Sequence, residues 1–345
     1  MARKILVAGL ALAPLAAVLR WAVDAGDVPV FLVSALALVP LAWLIGEATE
    51  QAAEHTGPAI GGFLNASFGN APELIIALFA VADGLPDVVR GSITGSIVSN
   101  LLLVLGLAIA VTDEEDVDAS TLRSNLSLVI LAVLLFLIPS VPGWHGSPER
   151  HGLAVASIPV AIVLLGFYVW QTWRNLRRRR ETRKPPHPQS WSLRDALLTL
   201  GLATAATAVV SEIMVHALEG FAKSAGLSRF FVSAVIVAIV GNAAEHGGAV
   251  VIARRGKIRL ASEIAVSSAA QVALLVAPLV ALLSFAVRPP LPLALRPVEL
   301  ATMAGAAVAV GLMLRDRRGT RREGVLLLVC YVGAAVAYYL SGNRV

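Results

Sequence analysis

Only one cysteine, Cys330, stands in 345 residues. No intrachain disulfide can form, and a zinc site built from several cysteines is excluded. Charge is scarce too: Asp, Glu, Lys and Arg make up 15% of the chain, against ~25% in a typical soluble domain. Catalytic signatures are missing. The sequence has no His-Glu-x-x-His, no Gly-x-Ser-x-Gly elbow and no Walker A run. Glu54-His55 and Glu245-His246 lack the second, spaced histidine of a zinc protease. The chain therefore reads as a non-enzyme. An intramembrane hydrolase and a self-contained ATP-driven pump have no motif behind them, whereas a passive cation channel would need none.

Apolar residues are abundant: 57% of the chain is hydrophobic and the mean hydropathy is +0.77. The lipid bilayer is the solvent that suits such a surface. The net charge of +5 does not signal nucleic acid, because the basic residues lie between apolar runs rather than on one patch. A membrane-spanning helix needs roughly 17–25 mostly apolar residues. About eleven stretches meet this rule, near 5–23, 29–54, 63–82, 91–112, 124–140, 153–173, 195–219, 228–252, 261–286, 298–314 and 324–341. The first could also serve as a signal peptide, but the further spans make a first membrane helix the simpler reading.

Lysine and arginine collect in cytoplasmic loops. Arg3 and Lys4, then Arg174, Arg177 to Arg180, Arg183 and Lys184, then Arg254, Arg255, Lys257 and Arg259, then Arg315, Arg317, Arg318, Arg321 and Arg322 form four basic groups. Eleven spans with a cytoplasmic N-terminus put all four on one side. The opposite loops hold few basic residues, such as Arg150, Arg288 and Arg296. This predicts a multi-pass protein of the inner (plasma) membrane. An acidic run, Asp113, Glu114, Glu115, Asp116 and Asp118, falls on the cytoplasmic side and reads as a solvated loop.

The chain divides into an N-terminal helix (1–26), a first unit (27–173), a basic linker (174–194) and a second unit (195–345). The units resemble each other at their polar points. Gly69-Asn70-Ala71-Pro72-Glu73 matches Gly241-Asn242-Ala243-Ala244-Glu245 at an offset of 172. Ser96 and Asn100 match Ser267 and Gln271 at 171, and Glu50 matches Glu219 at 169. Five spans per unit is an odd number, so the second copy enters from the opposite side. The expected fold is an all-α integral membrane protein with one extra helix and two inverted five-helix repeats. Inverted repeats place their substrate near the midplane, on broken helices.

A charge at the bilayer centre costs about 2.5–3.5 kcal/mol on insertion scales. Glu73 and Glu245 lie within apolar spans whose interiors hold no Lys or Arg, Arg229 standing at the edge of the second, so a bound cation or proton is the natural counter-ion. Two carboxylates in one dry site repel. A divalent cation or protonation relieves that repulsion, and both compete for the same oxygens. A Ca²⁺ ion wants six to eight oxygen ligands at about 2.3–2.6 Å. Glu73, Glu245, the amides of Asn70 and Asn242, backbone carbonyls and water are the candidates.

Pro72 removes the donor that the carbonyl of Phe68 would otherwise use. Gly69 favours a helix break, and Gly241 is its match. Ala244 replaces Pro72 in the second copy, so unequal half-sites are expected. Ser96, Asn100, Ser267 and Gln271 are supporting polar residues, and His246 is a neighbour that could tune Glu245. Glu47, Glu50 and Glu54 share a helix face, as do Glu212, His216 and Glu219. Glu50 and Glu219, the matched pair, are candidates for an access path.

At these residues the chain resembles the Ca²⁺/H⁺ antiporters, the cation/proton exchanger branch of the Ca²⁺/cation antiporter superfamily. The carrying segments are FGNAPELIIALFA (68–80), GSIVSNLLLVLG (95–106), VGNAAEH (240–246) and SSAAQVALLVAP (267–278). The resemblance implies alternating access in which Glu73 and Glu245 take Ca²⁺ or protons in turn, without a resident cofactor, and assembly as a homotrimer. Related exchangers carry Na⁺ or K⁺, so exchange of those ions, or of Na⁺ for Ca²⁺, is the alternative. One motif carboxylate per copy favours protons. The basic linker departs from the acidic helix that some eukaryotic members carry there.

Overall fold

Long apolar runs with their polar residues gathered at a few positions have one solution, helices that satisfy their own backbone. A computed structural model describes residues 2–112, 115–144, 150–178, 191–287, 289–316 and 318–342. Its helices are α1 (Arg3–Trp21), α2 (Asp27–Phe68), α3 (Ala71–Ala82), α4 (Pro86–Ala110), α5 (Ala119–Gly143), α6 (His151–Arg178), α7 (Leu193–Ala225), α8 (Arg229–Gly241), α9 (Ala243–Ala253), α10 (Ile258–Val287), α11 (Pro297–Met313) and α12 (Arg321–Ser341). The only strands among the described residues are β1 (Glu115–Asp116) and β2 (Arg318–Gly319), an antiparallel pair joining the loops before α5 and α12.

Among the described residues eight helices are long and apolar enough to cross a membrane, or nine if α8 and α9, bent by 57°, make one span. Two further segments, α3 and α11, are shorter apolar helices. Of the stretches read from the sequence, 63–82 covers the end of α2 together with α3, 228–252 covers α8 and α9, and the other nine each fall on one helix. Their surfaces carry large apolar side chains such as Leu36, Ile138, Val169, Leu202 and Leu340. α1 stands apart, with only Ala16 buried.

Several boundaries differ from the sequence reading. α2 does not stop near residue 54 but continues to Phe68. At a rise of 1.5 Å per residue its length is about 63 Å, twice the hydrocarbon thickness, and the apolar part is Asp27–Thr56. Its counterpart α7 does stop, at Gly226 in the left-handed conformation (φ 66°). There Ser228 caps the next helix, accepting from the Phe231 N–H at 3.1 Å. The stretch 57–63 holds the matching Gly57 but no Ser, Thr, Asp or Asn to cap a following helix. Residues 174–178, read as linker, continue α6; 179–190 lie outside the described residues, as do Asp113, Glu114, Arg288 and Arg317.

α2 and α7, matched elements of the two units, lie antiparallel along each other. Phe31, early in α2, stacks on Phe221, late in α7, at 4.2 Å. Ile45 and Ala48 meet Leu200 and Ala203, with Phe68 and Trp191 packed against them. The remaining helices enclose a core rich in Ala, Val, Leu and Ser, the small residues that let membrane helices approach closely.

Asp118 begins α5. Its carboxylate accepts from the Ser120 and Thr121 hydroxyls at 2.7 and 2.8 Å and from their N–H groups at 3.0 and 3.4 Å. These bonds hold its carboxyl down at about 2. A folded value below the unfolded one means the stabilisation is present above the ordinary Asp value and is lost as pH falls through it towards 2. Asp118→Ala is expected to lower the melting temperature at neutral pH, by less than the ~1 kcal/mol typical of a cap because the group is partly solvated. The deficit should shrink as the melts are repeated at progressively lower pH.

Candidate cation site

The site is built where both long hydrophobic runs break. α2 ends at Phe68, Gly69 and Asn70 form the turn, and α3 restarts with Pro72 in its first turn, where a missing N–H costs nothing. In the second unit α8 ends at Gly241, Asn242 turns, and α9 begins at Ala243. Asn70 (φ −102°, ψ 18°) and Asn242 (φ −92°, ψ 8°) have nearly the same backbone conformation. Proline is therefore not what makes the break, since the second copy achieves it with Ala244. Nor do the glycines supply a left-handed turn: that conformation occurs at Gly84, Gly226 and Gly256 and not at Gly69 or Gly241. The inequality expected of the half-sites is absent from these backbones and lies instead in the side-chain contacts.

Those contacts run crosswise between the units. The Asn70 amide donates to Gln271 Oε1 at 2.7 Å. The symmetry-matched bond is Asn100 to Asn242, with Nδ2 donating to Oδ1 at 3.2 Å. Asn100 Nδ2 also lies 3.0 Å from Ser268 Oγ. Asn242 Nδ2 donates to Ser96 Oγ at 2.8 Å and to the Ala238 carbonyl at 2.9 Å. Gln271 Nε2 reaches Ser267 Oγ at 3.5 Å. Two pairs exchanging roles across the units are what a two-fold axis in the membrane plane produces.

Glu73 and Glu245 sit in the first turns of α3 and α9, where the helix N-terminus favours negative charge. Each is close enough to the other for Coulombic repulsion. A Cβ on Gly241 would lie 3.6 Å from Glu73 Oε1, so the first carboxylate rests against the second motif. The Ser268 hydroxyl donates to Glu245 Oε2 in a short bond. Glu73 is 7% exposed, and its Oε2 is buried without a donor. Asn70 Oδ1 and Asn100 Oδ1 are likewise buried without a donor. Three such oxygens, one on the carboxylate pair and two on amides of the same network, suit a hard cation, which takes oxygen ligands. Among the described residues no group of three or more His, Cys, Asp or Glu converges as a resident metal centre would.

The geometry brings together Glu73, Glu245, Asn70, Asn242, Ser96, Asn100, Ser267 and Gln271. Gly69 and Pro72 flank the first break. His246 is buried next to Glu245, its Nε2 without a partner. Glu50 and Glu219 are exposed and outside the network; Glu219 faces Arg229 at 3.4 Å. His216 Nδ1 lies 2.8 Å from the Glu212 carbonyl and 3.6 Å from Asp83.

Ser268 was missed by the sequence reading because its matched position is Ile97, so the repeat gives no signal there. Nor does the pattern reveal the π-helical turns at Ser99–Val104 and Val272–Val276. They occupy matched places in α4 and α10, next to Asn100 and Gln271, and such turns recur at functional sites. A surface cavity of about 670 Å³, lined by Asp116, Asp118, Arg123, Arg259 and Glu263 among others, is separate from this network.

Fold and site together define a polytopic membrane transporter with two inverted units meeting at a carboxylate pair. The profile of the sodium/calcium exchanger protein family matches residues 27–176 and 196–340, and the chain belongs to that family. It is 35% identical to the Ca²⁺/H⁺ antiporter ChaA of Bacillus subtilis, over 97% of this chain and 98% of that protein. It is 33% identical to a Ca²⁺/H⁺ antiporter of Synechocystis over 99% of both. The solved structure of native YfkE superposes with a TM-score of 0.83 at 33% identity, covering 98% of this chain and 99% of that one.

Proposed function

We propose that the chain is a secondary transporter that exchanges cytoplasmic Ca²⁺ for external protons, with Glu73 and Glu245 binding cation or protons in turn. The observation that carries this reading is the set of buried oxygens without donors, Glu73 Oε2, Asn70 Oδ1 and Asn100 Oδ1, beside a second carboxylate. Two carboxylates match the charge of one divalent cation. Protonation removes that charge and with it the affinity for the cation. Neither load then binds well in the presence of the other, and a conformational change that exposes the site to one side at a time converts this competition into exchange. The two relatives named as Ca²⁺/H⁺ antiporters support the same ion pair.

In this reading Asn70 and Asn242 are ligands, Asn242 once its bond from Asn100 opens, and the free Asn100 Oδ1 offers a further amide oxygen, while Ser96, Ser267, Ser268 and Gln271 hold them in place. The repeats are 27–173 and 195–345, preceded by the helix in 1–26 and separated by the linker in 174–194. With the basic loops in the cytoplasm the N-terminus is cytoplasmic, and the membrane in this reading is the plasma membrane. Glu50 and Glu219 then lie near opposite ends of the path to the site. The assembly is a homotrimer in the bilayer.

The test uses purified protein in sealed vesicles with an imposed pH gradient and radiolabelled Ca²⁺. Uptake that needs the gradient and collapses on adding a protonophore is the expected result. Gradient-driven movement of Na⁺ or K⁺ with none of Ca²⁺ would replace the ion. Cation flux without coupling would replace the class by a channel.

A further inference from the structure

Four charged side chains outside the carboxylate site meet at the first turns of α4 and α11. Arg90 and Glu299 are 2% and 0% exposed, the most deeply buried Asp, Glu, Lys or Arg side chains among the described residues. Asp87 Oδ1 accepts from Arg90 Nη2 at 2.6 Å and from Arg296 Nη2 at 2.9 Å. Arg90 Nε lies 3.8 Å from Glu299 Oε1, and Glu299 Oε2 accepts from the Arg296 N–H at 2.9 Å. The Arg296 guanidinium covers the Phe230 ring at 5.5 Å, and that ring meets Tyr338 edge-on at 5.6 Å.

This cluster joins the two units, with Asp87 and Arg90 in the first and Phe230, Arg296 and Glu299 in the second. Removing charges from water to build it is unfavourable unless their geometry is tightly matched. A surface anchor would serve equally well if stability alone were at stake. What distinguishes the cluster is the helix it grips. α4 also carries Ser96 and Asn100, about 9 and 15 Å further along at 1.5 Å per residue. Between anchor and site, Gly91 and Gly95 press on α8. A Cβ at Gly95 would overlap the Ala234 carbonyl, and one at Gly91 would come within 2.8 Å of the Phe230 carbonyl. The helix has little freedom to rotate or slide between these contacts.

We infer that Arg90 and Glu299 are positioning residues for the cation site: their buried ion pair fixes the depth and rotation of α4, and so where Ser96 and Asn100 hold the Asn242 amide. The inference rests on the cation-site reading above. The planar fork of Arg90, shared between Asp87 and Glu299, defines an orientation that the point charge of a lysine does not.

The experiment measures KM for Ca²⁺ and maximal rate in vesicles, together with the melting temperature of the full-length protein in detergent. The variants are Arg90→Lys, Glu299→Gln and the apolar pair Arg90→Met with Glu299→Leu. Arg90→Lys and Glu299→Gln are expected to raise KM by about 10- to 100-fold, the usual effect of removing support behind a metal ligand, with a smaller change in maximal rate. The apolar pair is expected to restore the melting temperature relative to either single variant while KM stays raised. An apolar pair that melts and transports with the parent's KM would show the charges to be merely structural and overturn the inference. If that pair does not fold, Arg90→Lys decides in the same way. Glu73→Gln, measured alongside, separates the two levels: intact coupled transport in that variant would sink the cation-site reading itself, whatever Arg90 does.

Discussion

Glu73→Gln and Glu245→Gln should each reduce gradient-driven Ca²⁺ uptake by about 100-fold or more while the protein remains folded. The substitutions keep the shape and remove the charge. A hydrogen bond or ligand contact to a charged group is worth roughly 1.5–3 kcal/mol, and about 1.4 kcal/mol is a factor of ten. Loss of the titratable group also removes the proton's place of binding, so the coupling should fail along with the affinity. The two variants should differ in stability. Glu245 accepts from Ser268, and a glutamine oxygen there preserves that bond. Glu73 has a buried oxygen with no donor, and glutamine there removes the cost of burying a charge. Glu73→Gln is therefore expected to melt at or above the parent's temperature while transporting least. The measurements are uptake under an imposed pH gradient and thermal unfolding of the same preparations. Coupled uptake at the parent's rate in either variant would remove that carboxylate from the mechanism.

Gly95→Val should be nearly as damaging to transport, through packing alone. The Cβ of any other residue at this position would overlap the backbone of Ala234. Backbone cannot rotate aside as a side chain can. Overpacking of a well-filled core costs typically 1–3 kcal/mol, and here relief requires that α4 and α8 separate. Asn242, on the turn that follows α8, would then lose its 2.8 Å bond to Ser96, the residue adjacent to the substitution. A lower melting temperature and a loss of uptake are expected together. Gly201→Ala in α7 is the control, because no atom lies within 4 Å of its added Cβ, and a helical alanine is intrinsically favoured over glycine. A Gly95→Val variant that melted and transported like the parent would refute the close α4–α8 contact.

Much of the site was legible because the bilayer makes polar residues conspicuous. Glu73 and Glu245 stand out in apolar runs, and the shared Gly-Asn-Ala spacing identifies them as matched positions. The offset between the units then pointed to Ser96, Asn100, Ser267 and Gln271, all of which join the network. Ser268 escaped because symmetry pairs it with Ile97, and its role depends on the direction in which one serine of α10 faces Glu245. Arg90 and Glu299 escaped for a different reason. They lie near the ends of apolar runs, where charges are commonplace, and only the fold shows that both are buried and together. Glu50 and Glu219 match in sequence and are exposed outside the network, since matched spacing alone does not determine which face of a helix packs.

The sequence by itself determined the solvent, the helical class, the two-fold internal repeat and the acids at its centre, because hydropathy and periodicity are local and survive without contacts. The tertiary structure alone decided where α2 ends, how the two Asn turns come to share one conformation despite the missing proline, and which amide holds which. Those outcomes depend on atoms far apart in the chain. Asn70 meets Gln271 and Asn100 meets Asn242 only after the inverted units dock, and the close contact at Gly95 fixes how closely they can.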